Sequence, residues 1–137
     1  MKRIHLSAIL LGLIVYLGVY ALRAAFGDHL VAWGLLEQHG PGGLVPLTWL
    51  SALVWVLPPF VAGWAARRYG GAHGLLTAAL GISLEFWITA MQDGMVRSSR
   101  LWNSGFDLLT GWVELLGVAV ILGLVAGIAG MAVAQRR

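Results

Sequence analysis

The residue with the clearest chemical potential in this sequence is Glu85, a carboxylate inside the long apolar run from Gly74 to Met91. An ionisable group among apolar residues is costly. Such groups usually face a bundle interior or a wet cavity, where they bind a proton, an ion or another polar group. Counting back from Met91 at the rise of an α-helix places Glu85 roughly 9 Å inside the end of the run. Glu85 is therefore the first candidate for a proton- or cation-binding site.

Two adjacent prolines, Pro58 and Pro59, stand in the middle of the preceding apolar run. Proline has no backbone N–H, so carbonyls one turn earlier, including that of Trp55, lose their usual helical donors. If the two runs fold back on each other at Gly70, Trp55 and Glu85 each lie fifteen residues from the turn and share one depth. We expect the carboxyl group and the proline kink to form one polar pocket. It either binds a proton or cation, as carboxylates beside unwound backbone do in transporters, or pins two helices together.

Charged residues near those ends of the apolar runs that lie opposite the chain termini form a second candidate site. Arginines there could pair with carboxylates or together bind a lipid phosphate, although solvated loop side chains would give the same pattern. Glu114 follows Trp112 in the first turn of the last run, where a helix dipole favours a negative charge. The members of this head-group or ion-pair set are Arg23, Arg97, Arg100 and Glu114.

The last apolar run carries small residues at spacings that allow close helix packing, including one Gly-x-x-x-Gly. Such a face lies either inside a bundle or against a partner protein. Its members are Ala119, Gly123, Gly127 and Gly130.

The remaining residues point away from an enzyme without deciding the question. The chain has no cysteine, which excludes disulfides and thiolate metal ligands. The histidines show no H-x-x-x-H spacing and lie at the ends of the apolar runs or between them, so we expect no metal, haem or other cofactor. The sequence also has no phosphate-binding glycine loop, nucleophile elbow or close carboxylate pair.

Composition predicts the environment in which these residues act. The chain is 59% hydrophobic and 11% charged, with a mean hydropathy of +0.82, whereas soluble domains carry about a quarter charged residues. A fold of 137 residues could not bury so much apolar surface, so lipid is the expected solvent. The nine basic residues lie mainly at the ends of apolar runs, which favours a role in membrane topology over nucleic-acid binding.

The predicted fold is all-α: one polytopic membrane domain of four transmembrane helices in two antiparallel hairpins. Each apolar run is close to the roughly 20 residues that cross a bilayer. Six basic residues fall on the side of the chain termini and three on the other, so both termini should be cytoplasmic. Arginine outnumbers lysine eight to one, which favours a GC-rich bacterium and its inner membrane. The spans are 4–22, 46–66, 74–91 and 112–134, with outer interfacial segments at 23–45 and 92–111.

The connections carry three local predictions. Gly70 and Gly71 should make a tight inner turn between the second and third spans. Asp28 should cap a short helix that runs through His39. The two outer segments should lie along the membrane surface, either as padding or as a functional lid.

The leading functional prediction is a small membrane-embedded accessory or interaction subunit without catalytic activity, which works with the lipid bilayer and with another membrane protein or its own copies. The alternative is a small oligomeric transporter or channel with its proton- or cation-linked site at Glu85, Pro58 and Pro59. A lipid-modifying enzyme that uses the outer Arg and Glu side chains is the third possibility.

Overall fold

The computed structural model describes residues 4–32, 49–92 and 101–136. These residues form four α-helices and no strand, which confirms the all-α prediction for this part of the chain. The helices are α1 (Leu6–Ala32), α2 (Trp49–Ala66), α3 (Gly70–Gln92) and α4 (Leu101–Gln135).

Two helices, α1 and α4, extend more than two turns beyond the predicted spans and correct two local predictions. Asp28 lies within α1, so the prediction that it caps a new helix is wrong. α1 continues through Asp28 because neither two adjacent glycines nor a proline precedes it in the helix. Glu114 lies more than three turns inside α4, because that helix begins at Leu101. A helix dipole acts within the first turn, so the predicted dipole stabilisation of Glu114 does not apply. Segments 33–48 and 93–100, which hold the rest of the predicted outer segments, lie outside the described residues.

The connection between α2 and α3 is shorter than predicted and contains no glycine. It consists of residues 67–69, in which Arg67 and Tyr69 both adopt a left-handed φ of 54°. The predicted Gly70–Gly71 turn is wrong, since both glycines belong to α3. The steric reason is α4: a Cβ on Gly70 would overlap the carbonyl oxygen of Gly127. Gly70 is thus needed for close helix packing rather than for the turn.

The left-handed residues give a testable prediction about stability. A non-glycine residue at positive φ costs about 1–2 kcal/mol, so Arg67→Gly should raise the free energy of unfolding by about 1 kcal/mol. Arg68→Gly is the matched control, because it removes the same charge at a position without positive φ. Chemical unfolding of both variants in detergent micelles measures the difference. Equal stabilities for the two variants would contradict the prediction.

The helices form layers around the α2–α3 hairpin. Within the described residues, α1 packs against α2 and α3, α4 packs against the same two helices, and α1 does not contact α4. α1 runs parallel to α3, since Gly12 meets Thr77 and Tyr16 meets Gly81. At the opposite end of the bundle from Glu85, the side-chain amide of Gln135 donates to the carbonyl of Arg67 at 3.1 Å.

Glycines hold α4 against α2 and α3 at backbone contact distance. A Cβ on Gly127 would overlap the carbonyl oxygen of Gly70 and lie 2.9 Å from the Cα of Gly74. A Cβ on Gly130 would overlap the carbonyl oxygen of Phe60. Ala119 is 2% exposed and belongs to a core cluster with Ala78 and Ile82. The small-residue face predicted on the last run therefore lies inside the bundle.

The outer surface of the bundle is apolar. Large side chains such as Leu6, Ile121 and Val125 are 60–68% exposed. Among the described residues, Gly70–Ile88 and Trp112–Gln135 are long and apolar enough to cross a membrane, with 19 and 24 residues. The apolar parts of α1 and α2, Leu6–Leu22 and Trp55–Ala66, are shorter than this, at 10–17 residues. Length and composition thus support two of the four predicted spans.

Candidate functional site

The polar side chains of the bundle interior lie mainly where α1 meets α3. His73, Thr77 and Glu85 are separated by four and eight residues, which places them on one face of α3. Tyr16 of α1 and His5, which immediately precedes α1, lie against this face. We call these five residues the polar seam.

Tyr16 and Glu85 form the central pair of the polar seam. The Tyr16 hydroxyl donates a hydrogen bond to Oε2 of Glu85 at 2.5 Å, the short length typical of a bond to a carboxylate. Tyr16 is 2% exposed, whereas Glu85 is only partly buried. Gly81 makes the pair possible, since a Cβ there would lie 2.5 Å from the Tyr16 ring. α1 and α3 are thus joined by this hydrogen bond and by a direct contact between the Tyr16 ring and the backbone at Gly81.

This pair gives a prediction for a double-mutant cycle. Tyr16→Phe removes the donor and Glu85→Gln removes the charge that strengthens the bond, so the two changes should be coupled by about 1–2 kcal/mol in the free energy of unfolding. Tyr20→Phe, one turn further along α1, is the matched control and should show a coupling near zero with Glu85→Gln. Unfolding titrations in micelles measure both cycles. Additive effects of Tyr16→Phe and Glu85→Gln would contradict the assignment.

The two prolines inside α2 lie beside the polar seam. Pro58 and Pro59 are fully buried, and the carbonyl of Pro58 lies 3.0 Å from where a Cβ of Gly12 would stand. Trp55 packs against the core cluster that includes Ile82, one turn before Glu85. The hydrogen bond shown for Glu85 comes from Tyr16, a partner that the sequence did not indicate. The hypothesis that the carboxyl group also satisfies the carbonyls freed by the prolines stays a prediction.

His73 anchors the other end of the polar seam. Its side chain is fully buried, and its Nε2 accepts a hydrogen bond from the backbone N–H of His5 at 2.9 Å. Nδ1 lies 2.9 Å from the carbonyl oxygen of Tyr69, which can only accept, so Nδ1 must carry the proton. The two bonds therefore require the neutral ring with its proton on Nδ1. The His5 ring stacks on that of His73, with centroids 6.1 Å apart.

Thr77 lies between the two pairs, where α1, α2 and α3 meet. It is fully buried, and its hydroxyl has no hydrogen-bond partner among the described residues. Its methyl group would lie 2.7 Å from a Cβ on Gly12. A buried hydroxyl without a partner costs about 1–3 kcal/mol, so Thr77 is a costly residue where α1, α2 and α3 meet.

The predicted head-group or ion-pair set stays a prediction, because most of its members lie outside the described side chains. Glu114 is exposed on α4. Arg23 belongs to α1 but its side chain is not described, and Arg97 and Arg100 lie outside the described residues. Among the described residues, no group of three His, Asp or Glu side chains could hold a metal ion. The polar seam is therefore the candidate site that the structure supports by direct contacts.

Comparisons of the chain with protein-family models, with curated proteins and with solved structures give no match. The functions proposed below therefore rest on the residues and contacts of this chain alone. What the described contacts do is to hold helices together: they join α1 to α3 by the Tyr16–Glu85 hydrogen bond and place α4 against the backbones of α2 and α3.

Proposed function

We propose that the chain is an integral membrane protein whose four helices cross a bacterial inner membrane with both termini in the cytoplasm. The exposed apolar side chains on the outer faces of α1 and α4 support this, because water would disfavour such a surface. α1 and α4 are about 40 and 52 Å long at the rise of an α-helix, enough to cross about 30 Å of hydrocarbon and extend beyond it. The distribution of basic residues supports the orientation.

Within the membrane, we propose that the protein is a non-enzymatic accessory subunit that acts by assembling with another membrane protein. The observation that carries this proposal is that two hydrogen bonds, from the Tyr16 hydroxyl to Glu85 and from the His5 N–H to His73, tie the N-terminal part of the chain to α3 in direct contact. Contacts of this kind serve to hold helices together, as an assembly subunit requires. Its small-residue face is already occupied internally, so a partner would contact the outer apolar faces of α1 or α4.

Native mass spectrometry on protein extracted gently at its endogenous level tests the accessory role. The proposal predicts a second protein in fixed ratio, recovered equally with the wild-type chain and with Glu85→Gln. A chain that is found only alone or as a homo-oligomer would contradict it.

The Tyr16–Glu85 pair favours a second candidate, a small oligomeric transporter or channel. A carboxyl group held between helices is the kind of group that moves protons or cations in membrane proteins. This function predicts a pH-dependent flux in liposomes that Glu85→Gln abolishes while the helix content is unchanged. A flux that survives in Glu85→Gln would exclude Glu85 as its site.

A further inference from the structure

We propose that one end of the bundle binds the headgroup of anionic phospholipids through Arg67, Arg68 and Arg136, three residues that we call the basic rim. The proposal deepens the first proposed function, because it rests on insertion of the helices in a bilayer. It requires neither a partner protein nor a flux, and it does not depend on the direction in which the chain crosses the membrane. A failed assembly or transport experiment would therefore leave it intact.

The first argument is that two separate parts of the chain bring these arginines to the same end of the bundle. Arg67 and Arg68 lie in the connection between α2 and α3, and the third arginine directly follows α4. The side-chain amide of Gln135 donates to the Arg67 carbonyl at 3.1 Å, and the N–H of Gly70 donates to the sulfur of Met131 at 3.3 Å. The connection is thus fixed against the last turns of α4.

The second argument is the charge at this end of the bundle. All three side chains of the basic rim are exposed. Among the described residues, the acids lie far from them: Glu85 follows Gly70 by fifteen residues of α3, which is about 22 Å at the rise of an α-helix. Glu114 precedes Arg136 by 22 residues, or about 33 Å. The described part of this end therefore presents positive charge to an anion.

The third argument is that the surroundings of the basic rim suit a lipid better than a free anion. Trp64 and Tyr69 flank the first two arginines in sequence and are 43% and 46% exposed. Such aromatic side chains lie at the level of the lipid headgroups in membrane proteins. Val125 is 60% exposed and lies eleven residues before Arg136, so the two share a face of α4. A headgroup at the basic rim would place its acyl chains along this apolar face.

The chemistry is charge-assisted hydrogen bonding. A guanidinium group donates paired N–H bonds to two oxygens of a phosphate. A zwitterionic lipid carries the same phosphate, but the basic rim repels its cationic amine. We therefore expect a headgroup with a net negative charge, such as that of phosphatidylglycerol, to be preferred.

Electron spin resonance with spin-labelled lipids measures this preference on the full chain in phosphatidylcholine vesicles. Labelled phosphatidylglycerol should associate with the wild-type protein at least about fivefold more strongly than labelled phosphatidylcholine, the contribution of one arginine near a membrane surface. High salt should weaken the preference, because salt screens exposed charges. Equal association of both lipids with the inserted protein would overturn the proposal, whereas protein that does not insert would contradict the proposed membrane location.

Paired substitutions assign the preference to the basic rim. Arg67→Gln combined with Arg136→Gln should abolish most of it, whereas Arg67→Lys combined with Arg136→Lys should keep most of it, because lysine retains the charge. All these changes leave the Arg67 carbonyl free to accept from Gln135, so the helix content should not change. Complete loss of the preference in the lysine pair would overturn the proposal, since the charges would still be present.

Gln92→Glu is the matched control for net charge. It lowers the net charge by one, as Arg67→Gln alone does, but it lies at the opposite end of α3 from the basic rim. Gln92→Glu should keep the wild-type preference, whereas Arg67→Gln should lower it about twofold or more. Equal losses in these two variants would overturn the proposal, because the preference would then follow the total charge of the protein.

Discussion

Gly127→Ala is expected to lower the free energy of unfolding by about 3 kcal/mol, a large effect for a single added methyl group. The added Cβ would overlap the carbonyl oxygen of Gly70 and press on the Cα of Gly74. These neighbours are backbone atoms of another helix, so a side-chain rotation cannot relieve the contact. α4 would have to move away from α3, and the packing around both would loosen.

Gly117→Ala is the matched control on the same helix. A Cβ at Gly117 meets nothing within 4 Å, so the change should be neutral or stabilising by up to about 1 kcal/mol, because alanine favours a helix over glycine. Thermal or denaturant unfolding in micelles, followed by helix content, compares the two variants. Equal stability of Gly127→Ala and Gly117→Ala would show that α4 does not pack as described.

His73→Ala is expected to have a comparably large effect, a loss of about 3 kcal/mol in the free energy of unfolding. The change removes a fully buried ring, leaves a cavity, and deprives the His5 N–H and the Tyr69 carbonyl of their partner. The N-terminal end of α1 should then separate from α3. Hydrogen exchange should report this as faster exchange in the first turns of α1.

His5→Ala separates the role of the bond from that of the ring. His5 bonds to His73 through its backbone N–H, which alanine retains, and its own ring is exposed. We therefore expect His5→Ala to cost less than about 1 kcal/mol, the value of a lost ring contact. A loss as large as that of His73→Ala would mean that the ring stacking, and not the hydrogen bond, holds α1 in place.

Much of the fold follows from the apolar pattern of the sequence. The all-helical class and the four helices come from long apolar runs separated by polar or glycine-rich segments. The ends of the helices do not follow as well: α4 begins at Leu101 because the polar stretch that follows contains no proline, so the helix continues outside the apolar run. Gly70 shows the same limit, since sequence alone does not distinguish a turn glycine from one that a neighbouring helix requires.

The candidate site was predicted in part. Glu85 stands out as a carboxylate in an apolar run, but its partner Tyr16 does not, because a tyrosine in such a run is common. The feature of the sequence that could have indicated Tyr16 is its depth in the bundle. Tyr16 lies twelve residues after Ile4 and Glu85 lies eleven after Gly74, so on parallel helices the two residues share one depth. His5 and His73 share an end of the bundle in the same way. Which side of each helix faces the other depends on packing that the pattern does not specify.

The most direct test of the account is whether the helices cross a bilayer with both ends of the chain on one side. The chain has no native cysteine, so single cysteines placed at His5, Ser98 and Gln135 can be labelled one at a time with a membrane-impermeant maleimide, and none of the three changes removes a lysine or arginine. Intact spheroplasts should label the cysteine at 98 only, and lysed membranes all three. Labelling of the cysteines at 98 and 135 from the same side, or recovery of the protein in the soluble fraction, would contradict the account.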